Sequence, residues 1–370
     1  MVSLSDTENI IAALGQSNRV CKVNLYVGGW LLEKVLAPMQ VPFPELTDLR
    51  LKSYYNETPV IPDSFLGGSA PRMRHLSLHD IPFPGLPNLS LTATHLVSLR
   101  LYDSYISTSP KEMVDILSAL SSLRIFSLEF EYRPAGGWES QSLPKRSILP
   151  ALTRLYFRGD TEYLEDLVTR IDTPQLDKMH ITLIDQIVFD CPQLAQFINR
   201  SPTLRAHDEA HVQFDHHFTS AILLAQSRTL MIEILGRERD RQYPFIRQIC
   251  NSSLDPLSTV EVLYIVDEYI QPVRKIDGIE NTLWLQLLRP FTAVKNLYLS
   301  ERYAPGIAAA LQELVEGTET GVLPGLQNIF VEEPSGPFQE TIGQFVAARQ
   351  LSDRPVAISF WDRDSYVKPK

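Results

Sequence analysis

One short phrase, apolar-x-x-apolar-x-apolar and usually built on leucine, returns along the whole chain and constrains its fold more than any other feature. It reads as Leu46, Leu49, Leu51; Met73, Leu76, Leu78; Leu96, Leu99, Leu101; Leu123, Phe126, Leu128; Leu152, Leu155, Phe157; and Leu176, Met179, Ile181. It returns at Val260, Leu263, Ile265; Val294, Leu297, Leu299; and Leu326, Ile329, Val331. First anchors lie 23–29 residues apart over the first six copies and 32–34 apart over the last three. Val20, Val23 and Leu25 read as an earlier copy, and Val356, Ile358 and Phe360 as a terminal strand. The 84 residues from Leu176 to Val260 have room for three units of 28, with degenerate copies at Leu204 and at Leu230, Ile232, Ile234.

The last two anchors of each phrase alternate, so they point to one face of a short strand, while the first enters from the preceding turn. Helical stripes separate the phrases. Met113, Ile116, Leu117 and Leu120 share one over 111–120, and Leu164, Leu167, Val168 and Ile171 another over 162–171. Ile307, Leu311 and Leu314 mark a third over 305–315, and Phe338, Ile342 and Phe345 a fourth over 338–346. Pro110, Pro150, Pro174, Pro192, Pro202, Pro305 and Pro324 sit at the edges of these runs, where a residue without an N–H belongs. A strand–turn–helix unit cannot bury its apolar side alone, but a stack of them can. The expectation is an α/β solenoid of irregular repeats of 23–34 residues, with a curved parallel sheet on the concave side and helices on the convex side. It forms a single domain over 1–370, with repeats at about 20–360 and terminal caps.

Charge narrows the partners. The chain carries 34 Lys and Arg against 44 Asp and Glu, a net −10, which disfavours the basic footprint of a nucleic-acid binder. Cys21, Cys191 and Cys250 are far apart, so neither a disulfide framework nor a C-x-x-C zinc site is expected, and a reducing compartment suits the chain. No basic leader with an apolar run and no uninterrupted apolar stretch of about 18 residues is present, so no membrane contact is expected and the location is read as cytoplasmic or nuclear.

The phrase, its number of copies and its spacing resemble the leucine-rich repeat family from about Val20 to Phe360. That family's consensus carries Asn or Cys at the ninth position of each unit, where this chain has Tyr54, Ile81, Ser104, Glu131, Asp160 and Ile184. Longer units with helices are therefore the better template. Pro-punctuated phrases such as Phe43-Pro-Glu-Leu-Thr-Asp-Leu-Arg-Leu, and the closing Ile358-Ser-Phe-Trp-Asp, also resemble the repeat regions of basidiomycete fungal F-box-like proteins. In those the repeats capture a substrate for ubiquitination. Nothing here matches an F-box, so direct binding of a ligase adaptor is not expected.

Side chains alternate along a strand, so residues between the anchors face away from the buried layer. The column between second and third anchors reads Arg50, Ser77, Arg100, Ser127, Tyr156, His180, Tyr264, Tyr298, Phe330. The next reads Lys52, His79, Tyr102, Glu129, Arg158, Thr182, Val266, Ser300, Glu332. Tyr and Arg are enriched at binding hot spots. Arg50, Arg100, Tyr102, Tyr156, Arg158, Tyr264, Tyr298 and Phe330 are accordingly expected to line a face that binds a protein partner.

Catalytic signatures are wanting. His207-Asp-Glu-Ala-His211 with His216 and His217 superficially resembles a zinc-protease helix, but Asp208 stands where the catalytic Glu belongs, and on a strand i and i+4 lie about 13 Å apart. A solvated repeat edge is the expectation, with no metal and no cofactor. No phosphate-binding glycine loop or G-x-S-x-G elbow occurs; Gly28-Gly29, Gly136-Gly137 and Gly67-Gly68 read as turns or loops, and Cys191 as a core residue at a helix start. Gly236–Arg241 reads as a solvated loop of mixed sign. The leading reading is a non-enzymatic interaction scaffold, possible kin to F-box substrate receptors. An enzyme with an unrecognised site in the long C-terminal units, and a degenerate paralogue without partner, remain alternatives.

Overall fold

The computed structural model describes residues 4–53, 59–105, 108–132, 146–184, 191–205, 207–214, 218–225, 228–235, 255–267, 281–316, 322–332 and 336–362. They fall into two compact units, 1–179 and 180–370.

The N-terminal unit runs α1 (Leu4–Leu14), β1 (Lys22–Val27), α2 (Gly29–Leu36), β2 (Asp48–Ser53), β3 (His75–His79), α3 (Leu86–Thr92), β4 (Ser98–Tyr105), α4 (Pro110–Ala119), β5 (Ile125–Tyr132), β6 (Ser147–Ile148), β7 (Arg154–Gly159), α5 (Thr161–Thr169) and β8 (Ile171–Asp172). Strands β1, β2, β3, β4, β5 and β7 lie side by side and all parallel; β6 and β8 form a small separate pair. Register aligns the anchors. Val23, Leu49, Leu76, Leu99, Phe126 and Leu155 make one row across the sheet, and Leu25, Leu51, Leu78, Leu101, Leu128 and Phe157 the next. Every member of the first row is buried, at roughly 1.5–3 kcal/mol per large apolar side chain removed from water.

Main-chain hydrogen bonds fix that register. The Thr47 carbonyl accepts from the amides of both Arg74 and His75, at 2.8 and 3.0 Å. The same two-donor arrangement recurs from Val97 and Ser98 to Arg74, from Arg124 and Ile125 to Val97, from Thr153 and Arg154 to Arg124, and from Asp177 and Lys178 to Thr153. The bonds are mainly main-chain, with the Thr153 hydroxyl adding a third donor to the Arg124 carbonyl at 3.2 Å and none of them using an asparagine side chain. The ninth position is released for other work: Asp160 caps α5, its carboxylate accepting from the Tyr163 amide at 2.9 Å. Helix α4 opens on a capping box, Ser109 accepting from the Glu112 amide while the Glu112 carboxylate accepts from the Ser109 amide. Beneath these helices Phe130, Phe157 and Tyr163 pack ring to ring, 5.1–6.1 Å between centroids. Gly159 leaves room for that cluster, since a Cβ there would come within 2.5 Å of the Phe130 ring. Gly28-Gly29, expected as a turn, instead starts α2.

The C-terminal unit begins within β9 (Lys178–Ile184) and continues α6 (Pro192–Arg200), β10 (Glu209–Phe214), β11 (Phe218–Ala225), β12 (Arg228–Leu235), β13 (Val262–Asp267), α7 (Asn281–Leu288), β14 (Asn296–Leu299), α8 (Ala304–Glu316), β15 (Asn328–Val331), α9 (Gly336–Leu351) and β16 (Ala357–Phe360). Strands β13 to β16 are parallel, with Leu263, Leu297, Ile329 and Ile358 in one row and Ile265, Leu299, Val331 and Phe360 in the next. The same carbonyl device joins them: Asp208 accepts from Glu261 and Val262, Glu261 from Lys295 and Asn296, and Lys295 from Gln327 and Asn328.

The middle departs from expectation. Three successive repeats were expected between Leu176 and Val260; the chain instead makes one helical unit, through α6, and then an antiparallel meander of β10, β11 and β12. Leu230, Ile232 and Ile234 do alternate inward, but on a strand antiparallel to β11. Only Gln226 and Ser227 separate β11 from β12, a hairpin length, whereas a parallel crossover needs a dozen residues or more. Spatial order is β9, β12, β11, β10, β13, with β10 parallel to β13. The sheet is thus mostly, not wholly, parallel.

Leu99→Ala, at the fully buried centre of the first row, should destabilise the protein by about 3 kcal/mol in a urea titration. Leu91→Ala, 69% exposed on α3, should cost under about 0.5 kcal/mol.

Candidate binding face

In the N-terminal unit the residues between the anchors form two columns. One runs Asn24, Arg50, Ser77, Arg100, Ser127, Tyr156; the other Tyr26, Lys52, His79, Tyr102, Glu129, Arg158. Of the residues expected to bind, Arg50, Arg100, Tyr102, Tyr156 and Arg158 come together here, on one face of six strands. Arg50, Lys52 and Arg100 are exposed; Tyr102, Tyr156 and Arg158 are half-buried; Ser77 and Ser127 are buried. His79 stacks on Tyr102 at 4.0 Å and 16°. The Lys52 ammonium stands 5.2 Å from the centre of the Tyr26 ring. Burial, followed by the positive charges of Lys52 and Arg100, lowers the His79 pKa below its ordinary 6.5 against the opposing pull of Asp80. Around Arg50, Lys52, Ser77, His79, Arg100 and Tyr102 the face dips into a hollow of about 410 Å³.

The other expected residues, Tyr264, Tyr298 and Phe330, lie in the C-terminal unit as a continuous ladder. His211, Tyr264, Tyr298 and Phe330 occupy matching positions on four parallel strands, with successive ring centres 4.5, 4.4 and 4.4 Å apart and planes within 17° of parallel. Trp361 stands steeply inclined to Tyr264 and Tyr298, its ring centre 6.2 and 5.6 Å from theirs, and is held by its indole N–H donating to the Leu299 carbonyl at 3.1 Å. The ring faces are spent on one another, so this column is packing first and surface second. Burial, with the Glu209 charge adding, raises the Tyr298 phenol above its ordinary value. In the neighbouring column Thr182, Val266 and Ser300 are buried rather than presented. His180 is half-buried and its ring meets the Glu233 carboxylate at 2.9 Å, which also accepts from the Thr182 hydroxyl. Sequence reasoning missed His211 and Trp361. Strand β10 starts at Glu209, so His211 falls in register with Tyr264 although no leucine phrase marks it.

The histidine cluster is corrected as well. His207 and His211, expected on a solvated edge, are buried, at 2% and 1% exposure. His211 is stacked on Tyr264 and its ring nitrogen contacts the Glu209 carboxylate. Neither nitrogen of the His207 ring has a hydrogen-bond partner among the described residues, while its main chain is clamped by the Thr259 hydroxyl. His216 and His217 lie outside the described residues, as do Gly136-Gly137 and Gly236–Arg241. Among the described residues no three His, Cys, Asp or Glu side chains are placed to share a metal ion, and no helix is long and apolar enough to cross a membrane. Cys191 is buried at the start of α6.

No protein-family model and no curated protein matches the chain. Solved structures do. The leucine-rich repeat-containing protein LegL7 from Legionella pneumophila is similar over 91% of this chain and 94% of its own, at 14% identity and a TM-score of 0.34. A structure of a TLR13–ssRNA13 complex is similar over 92% of this chain and 45% of its own, at 11% identity and a TM-score of 0.30. What defines the architecture is internal to the chain: parallel strands carrying aligned anchor rows, with helices between them. The fold is that of an α/β leucine-rich repeat.

Two measurements follow from the Tyr298 and His207 rings. Tyr298→Phe should leave stability within about 0.5 kcal/mol, and Tyr298→Ala should cost about 2–3 kcal/mol by urea denaturation, because stacking and not the hydroxyl holds the ladder. His207 has its pKa lowered by burial from 6.5 to about 4, with Arg228 adding and Asp208 opposing. The unfolded chain therefore takes up that proton first, so this contribution is complete above about pH 6.5 and is lost as pH falls toward about 4. The difference corresponds to about 3 kcal/mol. His207→Leu should flatten the loss of stability between pH 7 and pH 4.5 relative to the wild type.

Proposed function

We propose that the protein is a non-catalytic scaffold that binds another protein on the strand face of its N-terminal unit. The carrying observation is the alignment of Arg50, Arg100, Tyr102, Tyr156 and Arg158 on one side of a six-stranded parallel sheet whose other side is sealed by the anchor rows. Rigid strands hold these side chains at fixed spacing, so little freedom is lost when a partner docks. Arg and Tyr supply broad contact area with polar ends, the composition that concentrates binding energy. Tyr264, Tyr298 and Phe330, half-buried on the strand face of the C-terminal unit, are taken to add to the same kind of contact there. The phrase-level resemblance to F-box-like repeat regions makes a protein marked for ubiquitination the first partner to test.

Tyr156→Ala with Arg158→Ala should reduce capture of the partner at least tenfold while leaving the melting temperature within about 2 °C, since both side chains are half-buried on the face and neither is an anchor. Photo-crosslinkers at these two positions should give adducts that a crosslinker at the exposed Lys111 of α4 does not. Adducts from Lys111 alone would overturn the assignment of the face.

A further inference from the structure

Resting on the protein-binding reading, we propose that the hollow between Arg50 and Arg100 is a phosphoryl pocket that takes a phosphorylated side chain of the partner.

The pocket is built by one small residue between two long ones. Arg50, Ser77 and Arg100 are direct neighbours on three adjacent strands. Strands spaced about 4.8 Å apart put the two arginine Cα atoms roughly 10 Å apart, with only a serine between them. Two guanidinium groups can close over one tetrahedral anion across that gap, with the Ser77 hydroxyl at its floor. Lys52, two residues beyond Arg50 on the same face, brings a third cation to the rim.

These cations are uncommitted. Several surface charges of the chain are paired: Lys22 with Asp48, Arg72 with Glu45, Arg170 with Asp166, Lys295 with Glu261. Among the described residues neither Arg50 nor Arg100 has an ion-pair partner, and Lys52 is met only by the Tyr26 ring. Asp48 is the acid at this end of the face, and it is already occupied by Lys22, His75 and the Thr47 hydroxyl. In a chain of net charge −10, three like charges surround this one hollow. Their field also acts on His79, which loses proton affinity partly to Lys52 and Arg100.

The group that fits is a phosphate monoester. A carboxylate offers one negative charge and two oxygens, enough for a single bidentate guanidinium. A phosphorylated side chain carries a charge of about −1.5 to −2 and three strong acceptor oxygens, matching two arginines and a lysine. The hollow of about 410 Å³ has room for such a side chain and part of its backbone. The aromatic rings of Tyr26 and Tyr102 at its margin offer contact to the flanking peptide. A nucleic-acid strand fits less well, because Glu129 interrupts the second column between Tyr102 and Arg158 where a track of phosphates would continue.

The test uses the full chain and degenerate peptide libraries fixed on phosphoserine, phosphothreonine or phosphotyrosine, each with its unphosphorylated counterpart, read by fluorescence anisotropy. At least one phosphorylated library should bind tenfold or more tightly than its counterpart, and inorganic phosphate should compete. Arg50→Ala with Arg100→Ala should weaken that binding by about tenfold or more without shifting the melting temperature; Arg50→Lys should retain part of it. Equal or absent binding of phosphorylated and unphosphorylated libraries, indifference to the double substitution, or tighter binding of an oligouridylate would each overturn the pocket. A partner whose capture depends on Tyr156 and Arg158 yet survives phosphatase treatment would also overturn it, while leaving the protein-binding reading intact.

Discussion

A main-chain carbonyl at the entrance of most of the parallel strands accepts two amides from the following repeat, and the alignment of everything above it follows. Because both donors belong to consecutive residues, the incoming strand has one phase open to it. A slip by one residue would turn every anchor outward and every face residue inward. From Thr47 through Arg74, Val97 and Arg124 to Thr153, this junction holds the N-terminal strands; Asp208, Glu261 and Lys295 hold those of the C-terminal unit. The junction is built mainly from main-chain groups, helped by the Thr47 and Thr153 hydroxyls and by no asparagine. Ile81 and Asp160 can therefore stand where leucine-rich repeats ordinarily place asparagine, one buried in the apolar layer and the other capping a helix.

Once the phase is set, the two sides of each strand are free to specialise. Leu49, Leu76 and Leu99 are withdrawn from water and carry stability, while Arg50 and Arg100 stand exposed beside them. The same positions in the C-terminal unit solve a different problem. Tyr264, Tyr298 and Phe330 stack face to face with His211, so their apolar area is satisfied internally and Trp361 shields the flank. One column position thus yields an unpaired basic hollow in one unit and a self-contained aromatic ladder in the other.

Much of this was legible from spacing. The leucine phrases mark strands β2 to β5, β7 and β13 to β15 because alternation and the preceding turn anchor repeat together, and the stripes at Met113 and Leu164 fall on α4 and α5. The central meander was not legible from periodicity, since Leu230, Ile232 and Ile234 alternate equally well on a parallel or an antiparallel strand. The spacer of Gln226 and Ser227 was the available sign. The face residues follow from alternation, but their exposure does not. Val266 and Ser300 share the phase of Tyr102 and are nevertheless buried, because burial depends on what the rest of the chain lays over a strand. Whether an arginine is paired depends equally on its cross-strand neighbours, which is why Arg50 and Arg100 become distinctive only once Ser77 is seen between them.

Strand direction in the meander carries a lesson about how such a chain can grow. Between β10, which runs parallel to β13, and β9 the chain has folded in two extra strands, β11 and β12, that reverse and reverse again. Two reversals cancel. Among additions joined by tight turns, a hairpin is the smallest that an array of like-directed strands can absorb mid-course without inverting the polarity of what comes after it. One strand turned back on β10 would end at the opposite edge of the sheet, whereas a pair widens the sheet and lets β13 meet the edge of β10.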